Sequence, residues 1–289
     1  MTVIGVSTYL WASPFGDDRL DLAGHARELG FDVLEIAVEE PSRLTPEMLR
    51  DAAEEASIAV SVCGAFGPER DVSHEDAALR RLGVDYLKTC VDVAQVVGSP
   101  HVAGPMYSTT GKTRLLADDE RDRQRRWAAE SLREVAEYAG ERSVSLAIEP
   151  LNRFETDLVN TVEQGLDLCD RIAMPNVGLL LDTFHMNIEE RSIPAAIRAT
   201  GDRLLHLHAC ENDRGTPGTG HVDWNGVAAA LEEVGFDRQV VIESFTTGIE
   251  QIARAASVWR PLAESPDAIA SDGLAFLRRL LPARSGAAA

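Results

Sequence analysis

A chain of 289 residues, 45% hydrophobic and 26% charged, is long enough for one large core and too apolar for wholesale disorder. Its 47 acidic against 28 basic residues give a net charge of −19, a field that repels phosphate backbones and anionic lipid. Nucleic acid and membrane surfaces are therefore set aside as partners, and a neutral small molecule, or one held by a metal, fits better.

Taken in chain order, short apolar runs alternate with longer amphipathic ones. "VIGVS" at 3–7 reads as a first strand. "RLDLAGHARELG" follows as a helix with Leu22, Ala26 and Leu29 on one face and Gly30 as its C-cap. "DVLEIA" at 32–37 is the second strand, and "TPEMLRDAAEEA" a helix with Thr45 as N-cap and Pro46 in its first turn. "IAVSVCGA" at 58–65 is the third strand, followed by a helix from about Ser73 to Val97. "PHVAGPM" at 100–106 is the fourth, and "DDERDRQRRWAAESLREVAEYA" a helix whose first-turn acids suit its dipole.

"SVSLAIE" is the fifth strand, "TVEQGLDLCDRI" a helix and "NVGLLLD" the sixth strand. "SIPAAIRAT" is a short helix before "LLHLHA", the seventh strand. "WNGVAAALEEVG" leads to "QVVIESF", the eighth, and helix fills 250–281. Eight strand–helix units with no linker predict a closed (β/α)₈ TIM barrel as a single domain over 1–282, with a flexible tail, "ARSGAAA", over 283–289. An open doubly wound sheet is weakened because no GxGxxG turn follows the first strand. The four cysteines, Cys63, Cys90, Cys169 and Cys210, form no CxxC pair and imply no disulfide framework. With no signal-like or bilayer-length apolar run, the expectation is a cytoplasmic protein.

In such a barrel the C-terminal strand ends converge on one mouth. Strand five ends in Glu149, strand six in Asp182 and strand eight in Glu243. Strand seven carries His206 and His208, two apart and hence on one face. A lone strand-end acid is more often a cap or a solvated loop residue. Three carboxylates facing one cavity would repel one another without a cation. With one imidazole they form an oxygen-rich set that suits one divalent ion, Mn²⁺ foremost, with Mg²⁺ or Co²⁺ as alternatives, over a closed zinc site. His208, nearer the strand's end, is preferred to His206 as the ligand. His185, three beyond Asp182, either donates to a substrate hydroxyl or caps a loop. Glu155, six beyond Glu149, and Arg214, in the Gly- and Pro-rich "ENDRGTPGTGHVDW", have solvated readings beside functional ones. "STYLWASPF" offers Tyr9, Trp11 and Phe15 as candidate sugar-facing aromatics.

Together "LAIEPLNRFET", "LLLDTFHMNIEE", "HLHACENDRGTPGTGHVDW" and "VVIESF" resemble the D-tagatose 3-epimerase / D-psicose (allulose) 3-epimerase family, within the wider group of xylose-isomerase-like TIM barrels. The resemblance implies metal ligands at Glu149, Asp182, His208 and Glu243, and substrate contacts around C1 to C3 from Glu155, His185 and Arg214. It also implies C3 epimerisation of a ketose through a cis-enediolate, with Glu149 and Glu243 as acid and base, in a homodimer or homotetramer. The absence of a basic, glycine-rich cluster favours a free sugar. An aldose–ketose isomerase, or a keto-sugar dehydratase or lyase, on the same metal site is the runner-up. A phosphodiesterase of the endonuclease IV kind is opposed by the charge and by only seven histidines. A non-catalytic barrel is disfavoured because no ligand is missing.

Overall fold

Parallel strands covered on both faces need nearly continuous apolar runs, and this chain supplies eight. The computed structural model describes residues 3–281. The strands are β1 (Val3–Ser7), β2 (Val33–Val38), β3 (Ala59–Gly64), β4 (His101–Gly104), β5 (Ser145–Ile148), β6 (Val177–Asp182), β7 (Leu204–Ala209) and β8 (Gln239–Ile242). Each pairs in parallel with the next, and β8 closes onto β1, with Val3 level with Gln239 and Val6 level with Ile242. The chain is a single-domain (β/α)₈ barrel, as its sequence predicts. The tail expected at 283–289 lies outside the described residues.

The helices are α1 (Leu22–Leu29), α2 (Pro46–Ala56), α3 (Ala77–Val97), α4 (Asp118–Gly140), α5 (Val162–Ile172), α6 (Thr183–Glu189), α7 (Ile193–Thr200), α8 (Trp224–Glu233), α9 (Glu250–Ala255) and α10 (Pro266–Leu280). They pack their apolar faces on the strands. In α4, for example, Leu132, Val135, Ala136 and Ala139 are fully buried. Each buried side chain of leucine or valine size contributes about 1.5–3 kcal/mol. Among the described residues no helix is long and apolar enough to cross a membrane. All four cysteines are buried and unpaired.

Local chemistry explains where the boundaries differ from expectation. Helix α3 starts at Ala77, not near Ser73, because Asp76 accepts the Ala78 N–H as its cap while Ser73 is bonded to Asp71. Thr45 does occupy the N-cap position of α2, but its hydroxyl donates to Asp17 at 2.7 Å and makes no cap bond. The stretch 250–281 is two helices, α10 restarting at Pro266 with Ser265 as its cap. Gly30 does cap α1, at φ +100°.

The β6–β7 ladder slips between Leu179 and Leu180. A methyl group on Gly178 would lie 2.3 Å from the Arg203 carbonyl oxygen, so only glycine lets the two backbones come this close. Beyond the slip, Leu180 pairs with His206 and Asp182 with His208. The irregularity thus brings the ends of two strands level at the mouth, a frequent use of bulges.

Candidate active site

Asp182 is the last residue of β6 and also the N-cap of α6: its Oδ1 accepts the Phe184 N–H at 2.7 Å. No loop intervenes, so the chain turns directly from strand to helix and α6 carries His185 into the mouth. Glu149 and Glu243 each lie just past their strands, β5 and β8, and His208 is in β7. The ligand-type atoms of Glu149, Asp182, His208 and Glu243 all lie within 4.8 Å of one another, and all four residues are buried. His208 Nδ1 is 3.4 Å from Glu243 Oε2 and 4.0 Å from Glu149 Oε1.

This concentration of buried acid has electrostatic consequences. Burial, then the charge of Glu243, push the Glu149 carboxyl well above the usual carboxylate range. Asp182 is also raised by burial, although Arg214 opposes the shift. Burial would raise Glu243 as well, but His208 outweighs it and holds that carboxyl low. His208 in turn is raised well above the ordinary imidazole value, the charges of Glu243 and Glu35 overcoming its burial. Among the described residues, Glu149 Oε1 and His208 Nδ1 are buried with no hydrogen-bond partner. Unsatisfied buried polar atoms of this kind, in a set of three carboxylates and one imidazole, fit a hard divalent cation.

The three expected substrate contacts adjoin this cluster. Asn152 donates to His185 Nδ1 through its backbone N–H at 3.1 Å and its side-chain amide at 2.9 Å. On the other side Arg214 Nη2, which can only donate, lies 3.0 Å from Nε2, so donors face both ring nitrogens and a neutral imidazole accepts at one of them. Burial and the neighbouring Arg214 keep this ring neutral by pushing its pKa well down. Its Nε2 faces Glu149 Oε1 at 3.6 Å and Asp182 Oδ2 at 3.8 Å. The same Asn152 amide donates to Glu155 Oε1 at 2.7 Å, so one asparagine orients both side chains.

Arg214, at φ +67°, sends its guanidinium between the rings of Phe184 and Phe245, 4.0 and 4.8 Å from their centroids. It bonds Asp182 Oδ2 at 2.6 Å and Glu243 Oε2 at 3.4 Å. Its loop is anchored by Glu211, fully buried, which accepts from the N–H groups of Gly218 and Val222 and from the Trp224 indole. Burial would raise the Glu211 carboxyl, but these donors outweigh it and hold it low.

Of the three aromatics from the first loop, Tyr9 lies beside the site. Burial, then Glu39 and Glu243, raise its hydroxyl pKa, and its ring lies 5.8 Å from Phe245. Trp11 and Phe15 are held by packing within the protein. The Trp11 indole donates to Asp267 of α10 and packs edge-on against His25 of α1, while Phe15 is buried in the core.

A second polar layer lies beneath the first and was not expected from the sequence. Glu35, in the middle of β2, is fully buried. Its Oε1 meets His208 Nε2 at 2.8 Å; its Oε2 meets His206 Nε2 at 2.7 Å and accepts the Ser61 hydroxyl at 3.0 Å. His206 therefore belongs to this lower layer, its ring 4.4 Å from that of His101. The available sign was the carboxylate of "DVLEIA", set between Leu34 and Ile36 in a strand with no polar face.

A model of the xylose isomerase-like TIM barrel family matches residues 24–280, and the chain belongs to that family. Within it, the chain is 34% identical over 275 residues to a probable ketose 3-epimerase of Synechocystis sp., covering 95% of each. It is 32% identical over 263 residues to an L-ribulose 3-epimerase of Methylomonas sp., covering 90% of this chain and 91% of that one. The crystal structure of D-allulose 3-epimerase from Methylomonas sp. superposes with a TM-score of 0.92 at 30% identity, covering 97% of this chain and 98% of that one.

Proposed function

We propose that the protein is a divalent-metal-dependent ketose 3-epimerase acting on a free ketose. The chain is an enzyme of the isomerase class, in keeping with relatives named as epimerases along its whole length. The observation that carries the metal-dependent reading is the convergence of Glu149, Asp182, His208 and Glu243, with Glu149 Oε1 and His208 Nδ1 aimed into the cluster and unpartnered among the described residues. These four would hold the ion, Mn²⁺ foremost, with Mg²⁺ or Co²⁺ as alternatives. Bound there, the cation supplies Lewis acidity toward the oxygens of the ketose.

The chain's own groups do the rest. His185 and the Arg214 guanidinium, 3.0 Å apart at Nε2, turn their polar edges toward the sugar oxygens, with Arg214 supplying N–H donors. Glu155, aligned by Asn152, accepts from a hydroxyl at the C1 end. Glu149 and Glu243 leave strands separated by two others and approach the sugar from different sides. One takes the proton from C3 and the other returns a proton to the opposite face; the roles exchange in the reverse direction. The buried setting keeps bulk water away from the carbanionic carbon. Tyr9, whose ring packs 5.8 Å from that of Phe245, is the aromatic offered to the sugar's distal carbons.

The test is exchange of the C3 hydrogen with D₂O, followed by NMR over a panel of free ketoses. Glu149→Gln and Glu243→Gln are each expected to lower the exchange rate by about 10²–10⁴ while leaving the fold intact. Undiminished C3 exchange in both variants would refute the acid and base assignment. Exchange at C1 with aldose formation would identify an aldose–ketose isomerase instead.

A further inference from the structure

We infer that Glu35 is a positioning residue that fixes which nitrogen of His208 faces the cation. The inference rests on the metal-centre reading above and extends it inward. Strands β2 and β7 are not neighbours in the barrel, so the contact from Glu35 to His208 crosses the interior. An ionised carboxylate only accepts, so both imidazoles that meet Glu35 must carry their protons on Nε2. In the neutral ring that a cation binds, Nδ1 of His208 then carries the lone pair, on the side turned toward Glu243 and Glu149. His206 and Ser61 occupy the other oxygen of Glu35, so the carboxylate cannot rotate away from His208 without breaking two bonds.

The same geometry separates the two histidines of β7. Both are pinned through Nε2 by one carboxylate, but only His208 has carboxylates in front of its Nδ1. His206 Nδ1 is buried without a hydrogen-bond partner among the described residues, and its ring packs on His101. Glu35 thus holds His208 in the tautomer and orientation a cation requires. Carboxylates behind ligating histidines act in this way in other metal sites.

The test uses Glu35→Gln. A glutamine offers one oxygen and one amide N–H₂ group to two N–H donors, so one imidazole must turn round to accept. Calorimetric titration with Mn²⁺ should give a Kd about 10- to 100-fold weaker in the variant, with a cooperative thermal transition retained. In Mg²⁺-loaded wild-type protein carrying ¹⁵N-histidine, His208 should be protonated at Nε2 and metal-bound through Nδ1, its signals assigned by their loss in His208→Asn. A folded variant whose Kd stays within about twofold of wild type would overturn the inference while leaving the metal centre standing. So would Nδ1–H on His208 in the loaded wild type, which decides the matter even if Glu35→Gln does not fold. A wild-type protein that binds neither ion would overturn the metal centre and this inference together.

Discussion

In the polypeptide by itself the Glu149 carboxyl shares a water-poor space with Glu243 and Asp182, and burial followed by the charge of Glu243 raises its pKa. His208 is raised too, by Glu243 and Glu35 against its burial. Both groups therefore hold protons at pH values where their isolated counterparts would release them, and a cation must displace those protons to bind. Metal uptake should then release on the order of one to two protons, and affinity should fall as pH falls through the region where Glu149 and His208 are protonated. Calorimetry in buffers of different ionisation enthalpy measures this; an observed heat independent of buffer would refute it. At this scale the upper layer was legible because its members sit at strand ends, where a charged residue stands out. Glu35 was not, since a mid-strand carboxylate reveals its partners only when the far side of the barrel is known. Tyr9, Trp11 and Phe15 could not be ranked from the sequence, because an aromatic side chain reads the same whether it meets a ligand or a helix.

The strand–helix alternation was legible almost throughout, because β-branched runs and capping residues act locally. Helix α6 was hidden: Asp182 ends β6 and caps α6 at once, so no connecting loop marks where the helix begins. The β6–β7 slip was equally hidden, since register depends on the partner strand. It has a measurable consequence. Gly178→Ala would set a methyl group 2.3 Å from the Arg203 carbonyl oxygen and 2.7 Å from Leu205 Cγ, forcing β6 and β7 apart. The expected cost is about 1–3 kcal/mol in urea unfolding. Because the slip levels His208 with Asp182, Mn²⁺ affinity should fall with it. Unchanged stability and affinity would show that the close approach positions nothing. Other elements are tied across the mouth in ways no single segment shows. Lys112 bonds Asp71 and Ser73, while its backbone pairs beside Thr156. Gly111 N–H donates to the Glu155 carbonyl at 2.7 Å, so the loops after β3, β4 and β5 form one connected rim behind Glu155.

For the whole molecule, count and order of the units made a closed barrel the economical reading, and closure of β8 on β1 bears it out. What no local pattern could give was depth, the stacking of one polar layer on another inside the same cylinder. The four buried thiols lie within that sealed architecture. Burial raises the thiols of Cys90 and Cys169 to about 12 and lifts Cys63 and Cys210 as well, so at neutral pH scarcely any thiolate exists to attack a reagent. Alkylation must wait for the cylinder to open. In the regime where closing outpaces labelling, its rate follows the open population. Cation at a hundredfold excess over its Kd should then slow alkylation about 100-fold, the kinetic image of about 2.7 kcal/mol of linkage. Equal rates with and without the ion would dissociate the sulfurs from the centre. Otherwise the cysteines keep time for the barrel, and mass spectrometry can read the clock without substrate or product.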